Sequence, residues 1–243
     1  MWSYLIKLHA QAKKARVCGN GRPLHPGKKS LHKMHVACTS MTGLRLLIGL
    51  AAYKNRLLMA SDVINAYAQS GPLAKTTYLV VDDAIREWYY ERFKVFLPTG
   101  SLLELQSSIQ GHPDAGANWQ EKVNTTLSAM EWNRTKHEPC LYRREVKDAP
   151  DQLMCRQVDD MLLAIKTEEE YYEFNKEISK TINMDPENKL ATSFNGIEIE
   201  QTQGYIAIRV EKYINKVNQN HGWEKETCSK KPKAPLNDTL ANT

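Results

Sequence analysis

Two β-prone runs, 152–158 (QLMCRQV) and 161–165 (MLLAI), are separated only by Asp159 and Asp160, and this constrains the fold more than any other feature of the chain. Both runs are short, and the second is apolar at every position, which predicts strands. The economical arrangement is a hairpin with the two acids at its tip. At least one carboxylate then stands next to a desolvated sheet, where burial costs several kcal/mol unless the group is paired or binds a cation. A plain Asp-Asp turn uses the same dipeptide. A second Val-Asp-Asp, at 81–83, opens the stretch AIREWYYERF. There the acids fall on unpaired N–H groups of a helix start, so capping accounts for them.

Helices and strands alternate around this hairpin. Leu44, Leu47, Ile48 and Ala51 recur at helical spacing within 42–54, with Thr42 as the expected cap. Residues 56–64 and 76–81 read as strands, and Ile85, Trp88, Tyr89 and Arg92 fit one helix face. Pro113 stands where a first helical residue is favoured, and Trp119, Val123, Leu127 and Met130 follow on one predicted face. CLYRREV (140–146) is β-prone; Thr167 with Glu170 makes a capping box before Tyr171, Phe174, Ile178 and Ile182. FNGIEIE and YIAIRV predict a second hairpin, EKYINKVNQ a helix, and 227–243 a loose polar tail.

Charge divides the chain unevenly. Residues 1–60 hold eleven Lys or Arg and no acid, whereas the other 183 hold 22 basic and 28 acidic residues. A basic segment of this kind predicts a polyanionic partner. His25, His32, His35 and Cys38 lie in or near it without the spacing of a zinc site, and solvated histidines are the better reading. Five scattered cysteines with no CxxC pair indicate a reducing compartment. No apolar run is long enough to span a bilayer and the N-terminus does not read as a secretory signal, so an intracellular, cytoplasmic location is expected.

Asp62, at the end of the apolar run MASDVINAY, supplies a third acid on an apolar background. A carboxylate at a strand end and two on a hairpin tip suit two hard divalent cations held about 3.5–4 Å apart, the arrangement of metal-assisted phosphoryl transfer. The order Asp62-Val63-Ile64-Asn65-Ala66-Tyr67, Gln110-Gly111-His112-Pro113 with Trp119, His137-Glu138-Pro139-Cys140-Leu141-Tyr142, Gln157-Val158-Asp159-Asp160-Met161 and Phe194-Asn195-Gly196-Ile197-Glu198-Ile199 resembles the reverse transcriptase domain of copia-type LTR retrotransposons, from about Lys13 to Trp223.

The resemblance implies an α+β right-handed polymerase fold: a palm of antiparallel sheet backed by helices, partial fingers and a short C-terminal thumb-like remnant. Fingers and palm are expected over 1–226, with a basic fingers-side segment at 1–60, palm at 61–226 and a fingers insertion at about 72–106. It implies Asp62, Asp159 and Asp160 as catalytic ligands of two Mg2+ or Mn2+ ions, and Tyr67 as the ring that rejects a 2′-hydroxyl. Gln110, Gly111, Lys14 and Arg16 would meet the dNTP or template; Gln157, Phe194, Asn195 and Gly196 would meet the primer. Implied partners are an RNA or DNA template with primer and dNTP, with no membrane. Gln157 stands where the family usually has an aromatic, and no ribonuclease H or integrase segment is read. The expectation is therefore an RNA-directed DNA polymerase, with a catalytically silent nucleic-acid-binding remnant of such a polyprotein as the alternative.

Overall fold

The runs that flank Asp159 and Asp160 do pair, and the sheet they start carries most of the chain. The computed structural model describes residues 2–7, 12–19, 37–147, 149–186 and 189–223, and it divides into two compact units, Met1–Ala191 and Thr192–Thr243. The elements of the first unit, in order, are β1 (Trp2–Lys7), β2 (Ala12–Val17), α1 (Met41–Tyr53), β3 (Leu57–Asp62), β4 (Tyr78–Val80), α2 (Asp83–Phe93), β5 (Leu102–Glu104), α3 (Ala115–Ala129), β6 (Asn133–Arg134), β7 (Leu141–Val146), β8 (Ala149–Gln157), β9 (Asp160–Ile165), α4 (Glu168–Ile178) and β10 (Lys189–Leu190). A 3-10 turn at Ala66–Gln69 follows β3.

Six of these strands form one antiparallel sheet in the order β10-β3-β9-β8-β7-β6. Side chains alternate across it, so each strand feeds two layers. Met59, Val63, Met154, Met161, Leu163 and Ile165 point to one face, where Trp119, Val123 and Leu127 of α3 and Tyr171, Phe174 and Ile178 of α4 bury them in the main core. Leu58, Leu162 and Ala164 occupy the alternate positions, against α1 with its buried Leu44, Leu47, Ile48 and Ala51. β9 is thus buried on both faces, which is why its sequence is apolar throughout. β1 and β2 pair with each other, as do β4 and β5, whose connection contains α2. The second unit comprises β11 (Ser193–Phe194), β12 (Ile197–Gln201), β13 (Ile206–Arg209) and α5 (Glu211–His221), its strands forming one antiparallel sheet.

The helices differ from their sequence expectations at three places. Ser40, not Thr42, caps α1: its hydroxyl accepts from Gly43 N–H at 2.9 Å and itself donates to Glu138. Pro113 lies ahead of α3 in a turn closed by Ala115 N–H on the His112 carbonyl, and Asp114 takes the cap position. On α2 only Ile85 is buried. The three-residue strands β4 and β5 offer too little surface to cover more, so Trp88, Tyr89 and Phe93 pack edge-on and tilted against one another instead, with Trp88 and Phe93 exposed. Asp82 caps α2 by accepting from Ile85 N–H at 2.9 Å, as the first-turn acids predicted. Thr167 likewise caps α4, while Glu170 accepts from Lys166 N–H. The tail 227–243 and His25, His32 and His35 fall outside the described residues. Among the described residues no helix is long and apolar enough to cross a membrane.

If Ser40 is the cap, Ser40→Ala should lower stability by about 1 kcal/mol, whereas Thr42→Ala should stay within about 0.5 kcal/mol of wild type. Urea unfolding of the two variants measures both, and a larger loss in Thr42→Ala would return the cap to that residue.

Candidate active site

Asp62 ends β3 and Asp160 begins β9, and the ladder makes them direct cross-strand partners. Residues opposed in this way have Cβ atoms about 4.5–5.5 Å apart on one face. The ladder then closes through Asp159, whose carbonyl accepts from Val63 N–H at 3.2 Å. Beyond Asp62 the chain bends away: Asp185 N–H donates to the Asp62 carbonyl at 2.8 Å, and Ile64 N–H donates to Asn183 at 3.0 Å. Gln69 holds that bend by accepting from Asn183 N–H at 2.6 Å. The three acids are thereby collected at one end of two central strands.

The grouping bears on the ionisation of Asp160. Partial desolvation beside the sheet first, then Asp159 and Asp62, push the Asp160 carboxyl up from the ordinary 3.8 to about 6. Tyr67, in the 3-10 turn five residues after Asp62, is half-buried against the main core, and its phenol is raised by burial and by Asp159 and Cys38. Tyr67, Asp159 and Cys38 therefore share one neighbourhood. Gln157 pairs with Asp160 at the mouth of the hairpin and is bridged by Cys38 on its other side. Its Oε1 is buried with no hydrogen-bond partner.

The sequence-derived site residues fall into three groups. Asp62, Asp159, Asp160, Tyr67 and Gln157 come together as described. Lys14 and Arg16 lie on β2, which runs on to Cys18 and Gly19; there Cys18 bridges Gln110 in parallel and Gly19 N–H donates to the Gln110 carbonyl at 2.7 Å. Gly111 sits at φ +87°, and a Cβ there would be 2.1 Å from the Gly19 carbonyl oxygen, so only glycine fits the crossing. Phe194, Asn195 and Gly196 belong to the second unit. They make a two-residue hairpin turn in which Asn195 and Gly196 both have positive φ, the Asn-Gly turn that matches strand twist.

Two residues that support the hairpin tip are not singled out for it by sequence pattern. Arg156 is fully buried beneath the turn, and Trp119, whose spacing marks it only as a core residue of α3, is fully buried as well. Both donate to the Val158 carbonyl, Arg156 through Nη1 and Trp119 through Nε1, each at 2.8 Å. The signal available for the first was an Arg next to Leu153, Met154 and Cys155 in a β-prone run.

The acids also suit a divalent cation in charge and placement. Asp62 and Asp160 present hard oxygens on one face, Asp159 adjoins them, and their mutual repulsion is what a bound cation would relieve. Among the described residues no three such side chains are already drawn together as a finished cage.

Residues 1–234 match the family model described as reverse transcriptase (RNA-dependent DNA polymerase), and the chain belongs to that family. The copia-type resemblance of its motifs agrees with its curated relatives. The chain is similar to the retrovirus-related Pol polyprotein from transposon TNT 1-94 of Nicotiana tabacum, at 25% identity over 179 residues, 73% of this chain and 13% of that protein. It is also similar to a transposon Ty5-1 protein of Saccharomyces cerevisiae, at 31% over 114 residues, 46% of this chain and 36% of that protein. The chain thus spans well under half the length of either relative. Telomerase from Candida albicans, solved with the TWJ fragment of telomeric RNA, matches with a TM-score of 0.37 and 10% identity over 72% of this chain and 34% of that chain, too low to bear on the fold.

The raised Asp160 carboxyl has a signed consequence. Its folded value lies above the ordinary one, so between about pH 4 and 6 the folded state holds more protons than the unfolded state, and stability falls as pH rises through this window. Asp160 is exposed, so solvent screens part of the effect. Asp160→Asn should accordingly raise the melting temperature at pH 7 and leave it near wild type at pH 4. Melts at the two pH values decide it; a variant destabilised at pH 7 would mean that the carboxylate is stabilised by a partner.

Proposed function

We propose that this chain is an RNA-directed DNA polymerase that extends a primer 3′ end by nucleotidyl transfer from a dNTP. The pairing of Asp62 with Asp160 across β3 and β9 is the observation that carries this reading. It brings acids 98 positions apart to one strand end, with Asp159 beside them. In this assignment the six-stranded sheet with α3 and α4 is the palm, β1, β2 and the 72–106 stretch belong to the fingers, and α5 is thumb-like.

Asp62, Asp159 and Asp160 would hold two Mg2+ or Mn2+ ions, which when bound supply charge stabilisation to the transferred phosphoryl group and to both oxygens in line with it. The primer 3′ hydroxyl gives its proton to solvent water as its oxygen forms a bond to the α-phosphorus, and the bond to the bridging oxygen breaks with its electron pair leaving on pyrophosphate. Tyr67 lies close enough to Asp159 to feel its charge. A ring there would pack against the sugar of the nucleotide and leave no room for a 2′-hydroxyl. The β2 end held against Gln110 and Gly111 supports a second contact region, with Lys14 and Arg16 leading into it and meeting triphosphate or template. Phe194, Asn195 and Gly196 are assigned to the primer through the family motif.

A catalytically silent nucleic-acid-binding remnant is favoured by one observation. Gln157 puts an unpartnered buried oxygen where the family usually has an aromatic. Extension of a DNA primer on an RNA template with Mg2+ or Mn2+ separates the two readings. The wild type should extend, and Asp159→Asn should abolish extension with its melting curve nearly intact. Asp83→Asn, in the helix-capping copy of the same tripeptide, should spare it. Equal loss in both variants would remove Asp159 from the chemistry, and a wild type that binds primer–template without extending would establish the remnant.

The sugar gate is a separate measurement. Tyr67→Val should lower the preference for deoxyribonucleotides over ribonucleotides by about 10–100-fold, because excluding one hydroxyl by shape is worth no more than that. An unchanged ratio in an active variant would leave Tyr67 a core residue.

A further inference from the structure

The tip of the β8–β9 hairpin is held in a conformation that its own residues disfavour. Val158 has φ +57°, and a β-branched side chain in that region is a genuine outlier, costing about 1–3 kcal/mol unless its surroundings impose it. Asp159 is not among the residues of positive φ. A two-residue hairpin loop can close with positive φ at its first residue or at both, and the two forms differ in the orientation of the peptide between them. Here that peptide joins Val158 to Asp159. It is planar, so whatever fixes the Val158 carbonyl also fixes the plane that leads into Asp159.

Two buried donors fix it. Arg156 Nη1 and Trp119 Nε1 each reach the Val158 carbonyl oxygen at 2.8 Å, filling both of its lone pairs. Arg156 is anchored in turn: Nη2 donates to Gln120 Oε1 at 3.0 Å, its N–H donates to the Cys140 carbonyl at 2.9 Å, and its carbonyl accepts from the Thr39 hydroxyl at 2.7 Å. It pairs with Met161, so it points into the α3-covered core, away from the face that carries Asp62 and Asp160. Burying an ionised guanidinium costs several kcal/mol, and an apolar residue of similar volume would avoid that cost. A role in packing alone therefore does not account for an arginine here.

We propose that Arg156 is a positioning residue: with Trp119 it clamps the Val158 carbonyl from beneath, setting the central peptide of the turn and hence the direction in which Asp159 presents its carboxylate beside Asp62 and Asp160. The clamp holds a strained turn in one of its two forms. Its catalytic meaning rests on the polymerase reading given above.

The test uses the full chain with two readouts: Mn2+ affinity by electron paramagnetic resonance, and hydrogen exchange at Val63 N–H, the amide bonded to the Asp159 carbonyl. Arg156→Met keeps the stem and volume but no donors. It should weaken Mn2+ binding by about 10–100-fold, the loss usual when a partner that orients metal ligands is removed, and speed Val63 exchange by about tenfold with Leu163 unchanged. Arg156→Lys keeps the charge without the fork and should not restore either value. Arg143→Met, an exposed residue of β7 paired with Asp151, should leave both as in wild type. Should Arg156→Met fail to fold, Trp119→Phe removes the other donor to the same carbonyl and should show the same two changes. Wild-type values in Arg156→Met, or in Trp119→Phe when that variant carries the test, would overturn the clamp. Full recovery in Arg156→Lys would replace it with a charge effect. A wild type that binds no Mn2+ would count against the metal reading alone, since Val63 exchange still decides whether the clamp exists.

Discussion

The register of β3 against β9 is the constraint on which everything else rests. Leu57 pairs with Ile165 and each following residue keeps step, so that Asp62 meets Asp160 at the last rung. A slip of one residue would turn Asp62 to the opposite face and carry Met59 out of the main core, and burial on both faces makes such a slip costly. The apolar interior thus supplies the precision with which charged groups are placed at its edge.

Polar links across the layers fix the same register from outside the ladder. Tyr171 of α4 donates its hydroxyl to the Ala60 carbonyl at 2.6 Å, and Ser61 donates to Asn175 of the same helix at 2.9 Å. Both lie within two residues of Asp62. On the other side of the pair, Arg156 and Trp119 tie the hairpin tip to α3. Leaving a buried polar group unmatched is costly, so each link favours one relative position of helix and strand, whereas apolar contacts tolerate several. α3 and α4 thus hold β3 and the hairpin tip from one face of the sheet, while Asp62 and Asp160 stand on the other.

Cost concentrates at this tip as well. Val158 holds a left-handed conformation, Asp160 is pushed toward its neutral form by desolvation and then by its acidic neighbours, and Gln157 keeps a buried acceptor unsatisfied. None of these features stabilises the fold. Their gathering within four consecutive residues, above a well-filled core, is the pattern expected where structure gives up stability for chemistry.

Much of this was legible in the sequence, for reasons of periodicity and composition. The uniformly apolar 161–165 run next to Asp159 and Asp160 determined a buried strand with acids at its mouth, and the 3.6-residue spacing of Trp119, Val123 and Leu127 determined the helix face that covers it. The ordered motifs determined the family. Local pattern failed where partners are distant: Ser40 outcompetes Thr42 as a cap while engaging Glu138, 98 residues away, and α2 leaves Trp88 exposed because the sheet beside it is only two short strands. Only the tertiary structure decided that Asp62 opposes Asp160, that Tyr67 comes within electrostatic reach of Asp159, and that a buried Arg156 holds the Val158 carbonyl. Periodicity assigns a residue to a face of its own element, but which residue of another element stands opposite depends on register and packing, and those exist only once the layers have closed.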